Sequence, residues 1–326
     1  MLSISHLEIS TQSEKALSQL NKKNRFRRLL TELNRTKYLQ LLVLPGLIYF
    51  IIFKYIPMYG VIIAFKDFNM RLGILKSPWV GFENFIKFFN YPQFNRLIIN
   101  TLVLSIYHLI FAFPASIIFA LMLNEVKNQT YKRFVQTVSY LPHFISTVSI
   151  AGMLVLFLSP QGGFINNILS YFHIEPIYFL AETRWFRTIY TVSDIWQGTG
   201  WGAIIYLAAL SNVDQEMYEA ATIDGATRLQ KIWYISIPAI QPTIVIMLIM
   251  SLGKMMSLSS EKVLLLQMPA TYEVSDVIGT YIYRRGLIYA EYSFSAAVGL
   301  FNSAVNLVLV LISNFICRKV TETSLW

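Results

Sequence analysis

Cysteine is almost absent. The 326-residue chain holds one, Cys317, so neither a disulfide framework nor a cysteine-based zinc site can form within it. Charge is scarce too: Asp, Glu, Lys and Arg make up 14% of residues, against roughly 25% in an ordinary globular protein. Acids are the scarcer sign, 18 against 27 basic residues. Glycine and proline number 15 and 11, too few for a fibrous or low-complexity chain. Apolar surface is what abounds, with 55% hydrophobic residues, 15% aromatics and a mean hydropathy of +0.50. A soluble fold with so little charge could not cover that surface. The composition describes an integral membrane protein.

Signatures of chemistry are missing as well. No G-x-x-x-x-G-K-[ST] occurs, since Gly253-Lys254 lacks both the upstream glycine and the hydroxyl residue. His6, His108, His143 and His173 are scattered without a His-Glu-x-x-His pattern, and they read as hydrogen-bonded structural histidines rather than metal ligands. No Gly-x-Ser-x-Gly elbow is present. Asp194 is the only acid inside an expected span, so no proton relay is visible. Uphill transport by this chain would take its energy from another subunit.

A spanning helix needs roughly 20 mostly apolar residues. Runs free of acidic and basic residues cover 39–53, 97–124, 134–174, 195–213, 232–253 and 292–317. The first extends through Lys54, which can snorkel at a helix end. The third is too long for one crossing, and Ser159-Pro160-Gln161-Gly162-Gly163 marks a turn, which leaves a span over 134–158. The fourth must begin near Phe186. Six spans are therefore expected in an all-α integral membrane fold. Lys22, Lys23, Arg25, Arg27, Arg28, Arg35 and Lys37 before the first span, with Arg318 and Lys319 after the last, place both termini in the cytoplasm. Residues 1–37 then form a basic cytoplasmic segment, 38–317 the transmembrane domain, and 318–326 a cytoplasmic tail. Ala16, Leu17, Leu20, Leu29, Leu30 and Leu33 carry the spacing of a basic amphipathic helix.

The loop between spans four and five, 212–238, is the most informative stretch. It predicts two short helices at a corner. Asn212 with Gln215 and Thr227 with Gln230 are spaced as capping boxes. Asp214 and Glu216 suit the first turn of a helix, and Gly225 sits where a helix ends in a left-handed residue. Pro238 resets the chain as span five begins. A helix–Gly–helix anchored by a span on each side can act as a lever.

Glu219-Ala220-Ala221, three residues, Gly225, nine residues and Ile235-x-Ile237-Pro238 resemble the E-A-A loop of membrane subunits of binding-protein-dependent ABC importers. That family usually carries Leu where this chain has Ile237, and Asp224-Gly225-Ala226 also fits. Leu44-Pro45-Gly46, Tyr55-Ile56-Pro57-Met58-Tyr59-Gly60, Trp79-Val80-Gly81-Phe82-Glu83-Asn84-Phe85, Tyr140-Leu141-Pro142-His143 and Leu325-Trp326 resemble a subgroup that takes up polysaccharides and complex oligosaccharides. The resemblance spans about residues 35–326.

The resemblance implies the type I permease fold in a bacterial plasma membrane, with the loop as a coupling helix docked in a cytoplasmic ATPase. Glu219 would make the polar contact, Ala220 and Ala221 would allow close approach, Asp224 would add negative charge, Gly225 would allow the bend, and Pro238 would start the next span. It further implies a second homologous permease, an ATPase dimer holding ATP and Mg, and an extracellular substrate-binding lipoprotein that delivers a sugar. No cofactor is expected on this chain. A sodium- or other ion-coupled transporter acting alone is the alternative.

The sugar path should run between spans. Ser193–Gly202 is too polar and glycine-rich to face lipid, and Trp196, Gln197, Trp201 and Tyr206 offer aromatic faces and hydrogen-bonding groups. The same glycines could instead serve tight helix packing. Asn302 and Asn306, four residues apart, share one helix face and can bond either neighbouring helices or substrate.

Overall fold

The computed structural model describes residues 35–257, 260–321 and Ser324. The amphipathic pattern over 16–33 and the closing Leu325-Trp326 pair lie outside them. Among the described residues the fold is helical, and a single bridge between Lys66 and Trp79 is the only β pairing. The chain divides into two compact units, Met1–Ile62 and Ile63–Trp326. The first unit holds most of helix α1 (Lys37–Phe65). Apolar residues lie on every face of α1, and it accommodates Pro45 and a wide turn at Ile51–Tyr55.

After a short turn of helix at Gly73–Lys76, the second unit contains α2 (Glu83–Phe89), α3 (Phe94–Asn124), α4 (Gln129–Phe144), α5 (Thr147–Phe157) and α6 (Phe164–Tyr171). There follow α7 (Thr183–Ser211), α8 (Gln215–Ile223), α9 (Arg228–Leu252), α10 (Ser260–Leu266), α11 (Ile278–Tyr283) and α12 (Tyr292–Thr321). Three buried clusters organise it. Leu104, Ala151, Tyr190 and Val263 join α3, α5, α7 and α10. Phe88, Leu97, Tyr281 and Val298 join α2, α3, α11 and α12. Ala120, Ala203, Leu210 and Ile240 join α3, α7 and α9.

Among the described residues four helices, α1, α3, α9 and α12, are long and apolar enough to cross a bilayer, and a fifth crossing is available if the bent pair α4–α5 is one span. The expected third span is thus not a straight helix, because its two parts meet at 96°. The cause is local. Pro142 breaks the regular ladder, Ile145 and Ser146 are extended, and the Ser146 hydroxyl caps α5 by accepting from the Ser149 N–H at 3.2 Å. The expected fourth span is α7, whose 29 residues rise about 43 Å. It is long enough, but its polar stretch keeps it out of the strictly apolar set, so length and apolarity alone do not reach six crossings.

That polar stretch is accommodated by protein. A Cβ on Gly200 would lie 2.1 Å from the Ser139 carbonyl oxygen of α4, and one on Gly202 would lie 2.5 Å from the Ser116 hydroxyl of α3. These two glycines let α7 approach both neighbours, as small residues do between membrane helices. Gly198 has open space around it. Gly200→Ala should therefore destabilise the protein by about 1–3 kcal/mol, while Gly198→Ala, with a better helix former in free space, should not. Thermal unfolding in detergent compares them, and equal responses would remove the close-approach argument.

Candidate functional site

Two parts of the second unit carry the residues singled out by sequence. One is the corner formed by α8 and the first turn of α9. Asp214 caps α8, its carboxylate accepting from the Glu216 N–H at 3.0 Å. Asn212 does not take that role. It ends α7, where its side-chain amide donates to the Ala208 carbonyl, because the Asp214 carboxylate, two residues closer to α8, already satisfies the free N–H. At the far end Gly225 has φ +80°, and the N–H groups of Gly225 and Ala226 donate to the carbonyls of Thr222 and Ala221 at 3.1 and 2.9 Å. This is the paired closure that a left-handed glycine permits. Thr227 and Gln230 then form a full capping box for the next turn.

The corner is braced against α9. The Tyr218 hydroxyl lies 2.9 Å from the Ser236 hydroxyl, and the Lys231 ammonium donates to Thr222 Oγ1 at 3.1 Å. A recess of about 280 Å³ lies between the two helices, lined by Asp224, Gly225, Lys231 and Tyr234 among others. Glu219 and Ala220 are exposed and Ala221 is half-buried. Ile223 and Leu229 are also bare, at 86% and 69% exposure. Pro238 stands in the first turn after a wide turn at Ile232–Ser236, where a missing N–H costs least.

The second part is the polar face of α7. Asp194 is its hub: the carboxylate lies 2.6 Å from His108 Nδ1 of α3 and 3.8 Å from the Lys262 ammonium of α10. Lys262 is buried at 1% exposure, also faces Gln197 Oε1 at 3.4 Å and rests over the Tyr190 ring. Burial pushes the Lys262 ammonium below the usual lysine range, and the charge of Asp194 opposes that shift. Gln197 spans the gap by donating to the Ile145 carbonyl. Trp201 stacks on His143 with ring centres 4.4 Å apart, and both Trp201 and Trp196 remain about half exposed. Tyr206 is buried in the cluster shared with α3 and α9 rather than on an open surface.

On α12, Asn306 accepts from the Met256 N–H at 2.9 Å and donates to the Ser257 hydroxyl at 2.7 Å. Asn302 stands one turn away, and its Oδ1 is buried with no hydrogen-bond partner among the described residues. The segment between α9 and α12 is clamped as well. Asn100 donates to the Glu273 and Asp276 carbonyls, and buried Asp276 pairs with Arg284 at 2.6 Å. Sequence reasoning missed both charged clusters: His108 and Lys262 reach Asp194 from distant helices, and Asp276 meets Arg284 eight residues on, across a break between short helices. The signal available was the rarity of charge: Asp194, in a chain with few acids, needed an internal cation.

A bundle of apolar crossings with one polar helix and an exposed, braced corner defines the class of a membrane permease. Residues 112–322 match the binding-protein-dependent transport system inner membrane component family, and the chain belongs to it. The polygalacturonan/rhamnogalacturonan transport system permease YteP of Bacillus subtilis (strain 168) is 45% identical over 94% of this chain and 95% of that protein. A chain in the crystal structure of a bacterial ABC transporter for import of the acidic polysaccharide alginate superposes with a TM-score of 0.84 at 46% identity, over 90% of this chain and 99% of that one. A second alginate transporter structure, in complex with an alginate pentasaccharide-bound periplasmic protein, gives 0.84 and 45% over 91% and 100%. The chain is a permease subunit of an ATP-driven ABC importer.

The Asp194 hub makes an asymmetric prediction. Asp194→Asn leaves the Lys262 ammonium buried without a counter-charge and should cost about 3–5 kcal/mol. Lys262→Met leaves Asp194 its His108 partner and should cost clearly less. Thermal melts of the two variants decide it, and the reverse order would show that Asp194 is not the hub.

Proposed function

We propose that this chain is half of a sugar pore, driven through the α8–α9 corner by a separate cytoplasmic ATPase dimer. The observation that carries the reading is the corner itself, capped at both ends, braced by the Tyr218–Ser236 contact and yet presenting Glu219, Ala220 and Ile223 to its surroundings. A rigid element with bare apolar side chains is built to be gripped. Glu219 makes the polar contact in the ATPase groove, Ala220 and Ala221 admit the partner closely, Asp224 adds charge, and Gly225 holds the bend that passes force to α9 at Pro238. Force on the corner moves α7 and α9 together, because α8 is joined to α7 by the short link Asn212–Asp214 and hydrogen-bonded to α9.

On this reading the chain crosses the membrane six times, through α1, α3, the broken pair α4–α5, α7, α9 and α12. Residues 1–37 and 318–326 lie in the cytoplasm of a bacterial cell, flanking a transmembrane domain over 38–317. ATP and Mg sit on the ATPase, and this chain contributes no catalytic group. A homologous permease completes the pore, and a substrate-binding lipoprotein delivers the cargo from outside. The cargo is a fragment of an acidic polysaccharide, a reading supported by the alginate and polygalacturonan/rhamnogalacturonan systems of the relatives. Trp196, Gln197, Trp201, Asn302 and Asn306 border its path, and Tyr206 supports the wall from within.

Glu219→Lys and Gly225→Pro should insert at normal levels but reduce lipoprotein-stimulated ATPase of the assembled importer to its basal rate. Normal stimulation in both variants would strip the corner of this role. Trp196→Ala should lower sugar uptake while leaving assembly intact, as judged by co-purification of the subunits.

A further inference from the structure

The α9 helix does not end at a loop of ordinary kind. After Leu252 the chain unwinds at Gly253-Lys254 and re-forms as a single tight turn at Met255–Ser257. Gly253 is required there, since a Cβ would lie 2.4 Å from Val310 of α12. The unwound backbone is satisfied from two sides, by the Ser105 hydroxyl donating to the Met255 carbonyl and by Asn306 accepting from the Met256 N–H. Side chains of two other helices thus hold the break open, which is how irregular backbone is tolerated at membrane depth. The break borders a cavity of about 200 Å³ lined by Ser105, His108, Ser251, Lys254 and Ser257 together with apolar side chains.

The electrostatics of this cavity are one-sided. No acid lines it. His108 is already held through Nδ1 by Asp194, which leaves Nε2 as the ring nitrogen open to a ligand. The charge of Asp194 is balanced by Lys262. Lys254 is then a cation with no carboxylate within ion-pair distance among the described residues. An exposed ammonium with no carboxylate partner among the described residues, beside three hydroxyls and an imidazole where a long apolar helix is broken, is the composition of a site for a polyhydroxylated anion.

We propose that this cavity is a subsite for one acidic sugar unit of the cargo: Lys254 binds the uronate carboxylate, and Ser105, Ser251, Ser257 and His108 Nε2 bond its hydroxyls. The inference rests on the sugar-pore reading above and adds to it the place where charge on the substrate is recognised. Lys254 replaces part of the hydration that the carboxylate loses in the pore, and the neutral methyl ester of the same sugar has nothing to offer it.

The complete importer, with its partner permease, ATPase and lipoprotein, is reconstituted in proteoliposomes and supplied with tetragalacturonate or its methyl ester. The readout is the ratio of the two KM values for uptake, from which the lipoprotein's own preference cancels when variants are compared. Lys254→Gln should reduce the preference for the acid about tenfold, the loss of one charge-assisted hydrogen bond. Lys254→Arg should retain most of it, which shows that the break still folds, and Lys127→Gln, a distant surface change, should leave it untouched. An unchanged ratio in Lys254→Gln overturns the subsite. So does an equal decline for both sugars, the mark of a structural or lipid-headgroup role. If the wild-type importer moves neither sugar, the cargo reading fails first and takes the subsite with it.

Discussion

One carboxylate holds the interior of this protein together. Asp194 stands on a helix that has to lie among apolar neighbours, and it is matched there by an imidazole from α3 and an ammonium from α10. Take the carboxylate away and Lys262, almost without solvent contact, is a bare charge in a medium that cannot hydrate it. Leave it in place and three elements separated in sequence are fixed to one another at a polar point. The tight seating of Gly200 and Gly202 against Ser139 and Ser116 brings α7 close enough to its neighbours for that arrangement to be shielded. Small residues and one ion cluster together do what a continuous hydrophobic face does in the other long helices.

Capping and bracing are distributed unevenly along the chain. The α8–α9 corner has each end closed by a specific device: the Asp214 cap, the left-handed Gly225 and the Thr227–Gln230 box. Its brace to Ser236 runs directly into the base of α9. At the opposite end of α9 the helix is broken, and its backbone groups are handed to Ser105 and Asn306. α9 is thus braced at its start and unwound at its end.

Much of this was legible in sequence, for physical reasons that differ from element to element. Gly225 and the Thr227–Gln230 spacing declared themselves because caps are local interactions, complete within four residues. The apolar crossings α1, α3, α9 and α12 were readable because hydrocarbon selects on length and composition alone. The α4–α5 bend was less visible. The run from Phe134 onward is free of charge, so nothing but Pro142 and Ser146 marks where one helix ends and the next begins. The choice between packing and lining for the glycines of α7 could not be made from spacing, since it depends on which atoms of Ser139 and Ser116 come to face them. Asn212 was misread for a simpler reason: two capping residues stood close together, and the nearer carboxylate won. His108 and Lys262 were out of reach, because nothing in the chain between them records that they meet over Asp194.

The sharp bend between α4 and α5 bears on how the protein is made. With 11 residues, α5 rises about 16 Å, near half the thickness of the hydrocarbon layer. A segment so short does not reach across the layer by itself, and the side chains it packs against belong to helices that are translated after it. Those partners, α7 and α10, are encoded downstream, and α5 packs with them around Tyr190 and Val263. Biogenesis of this chain is therefore not a simple succession of independent insertions. Its middle reaches its final packing only with its later helices in place.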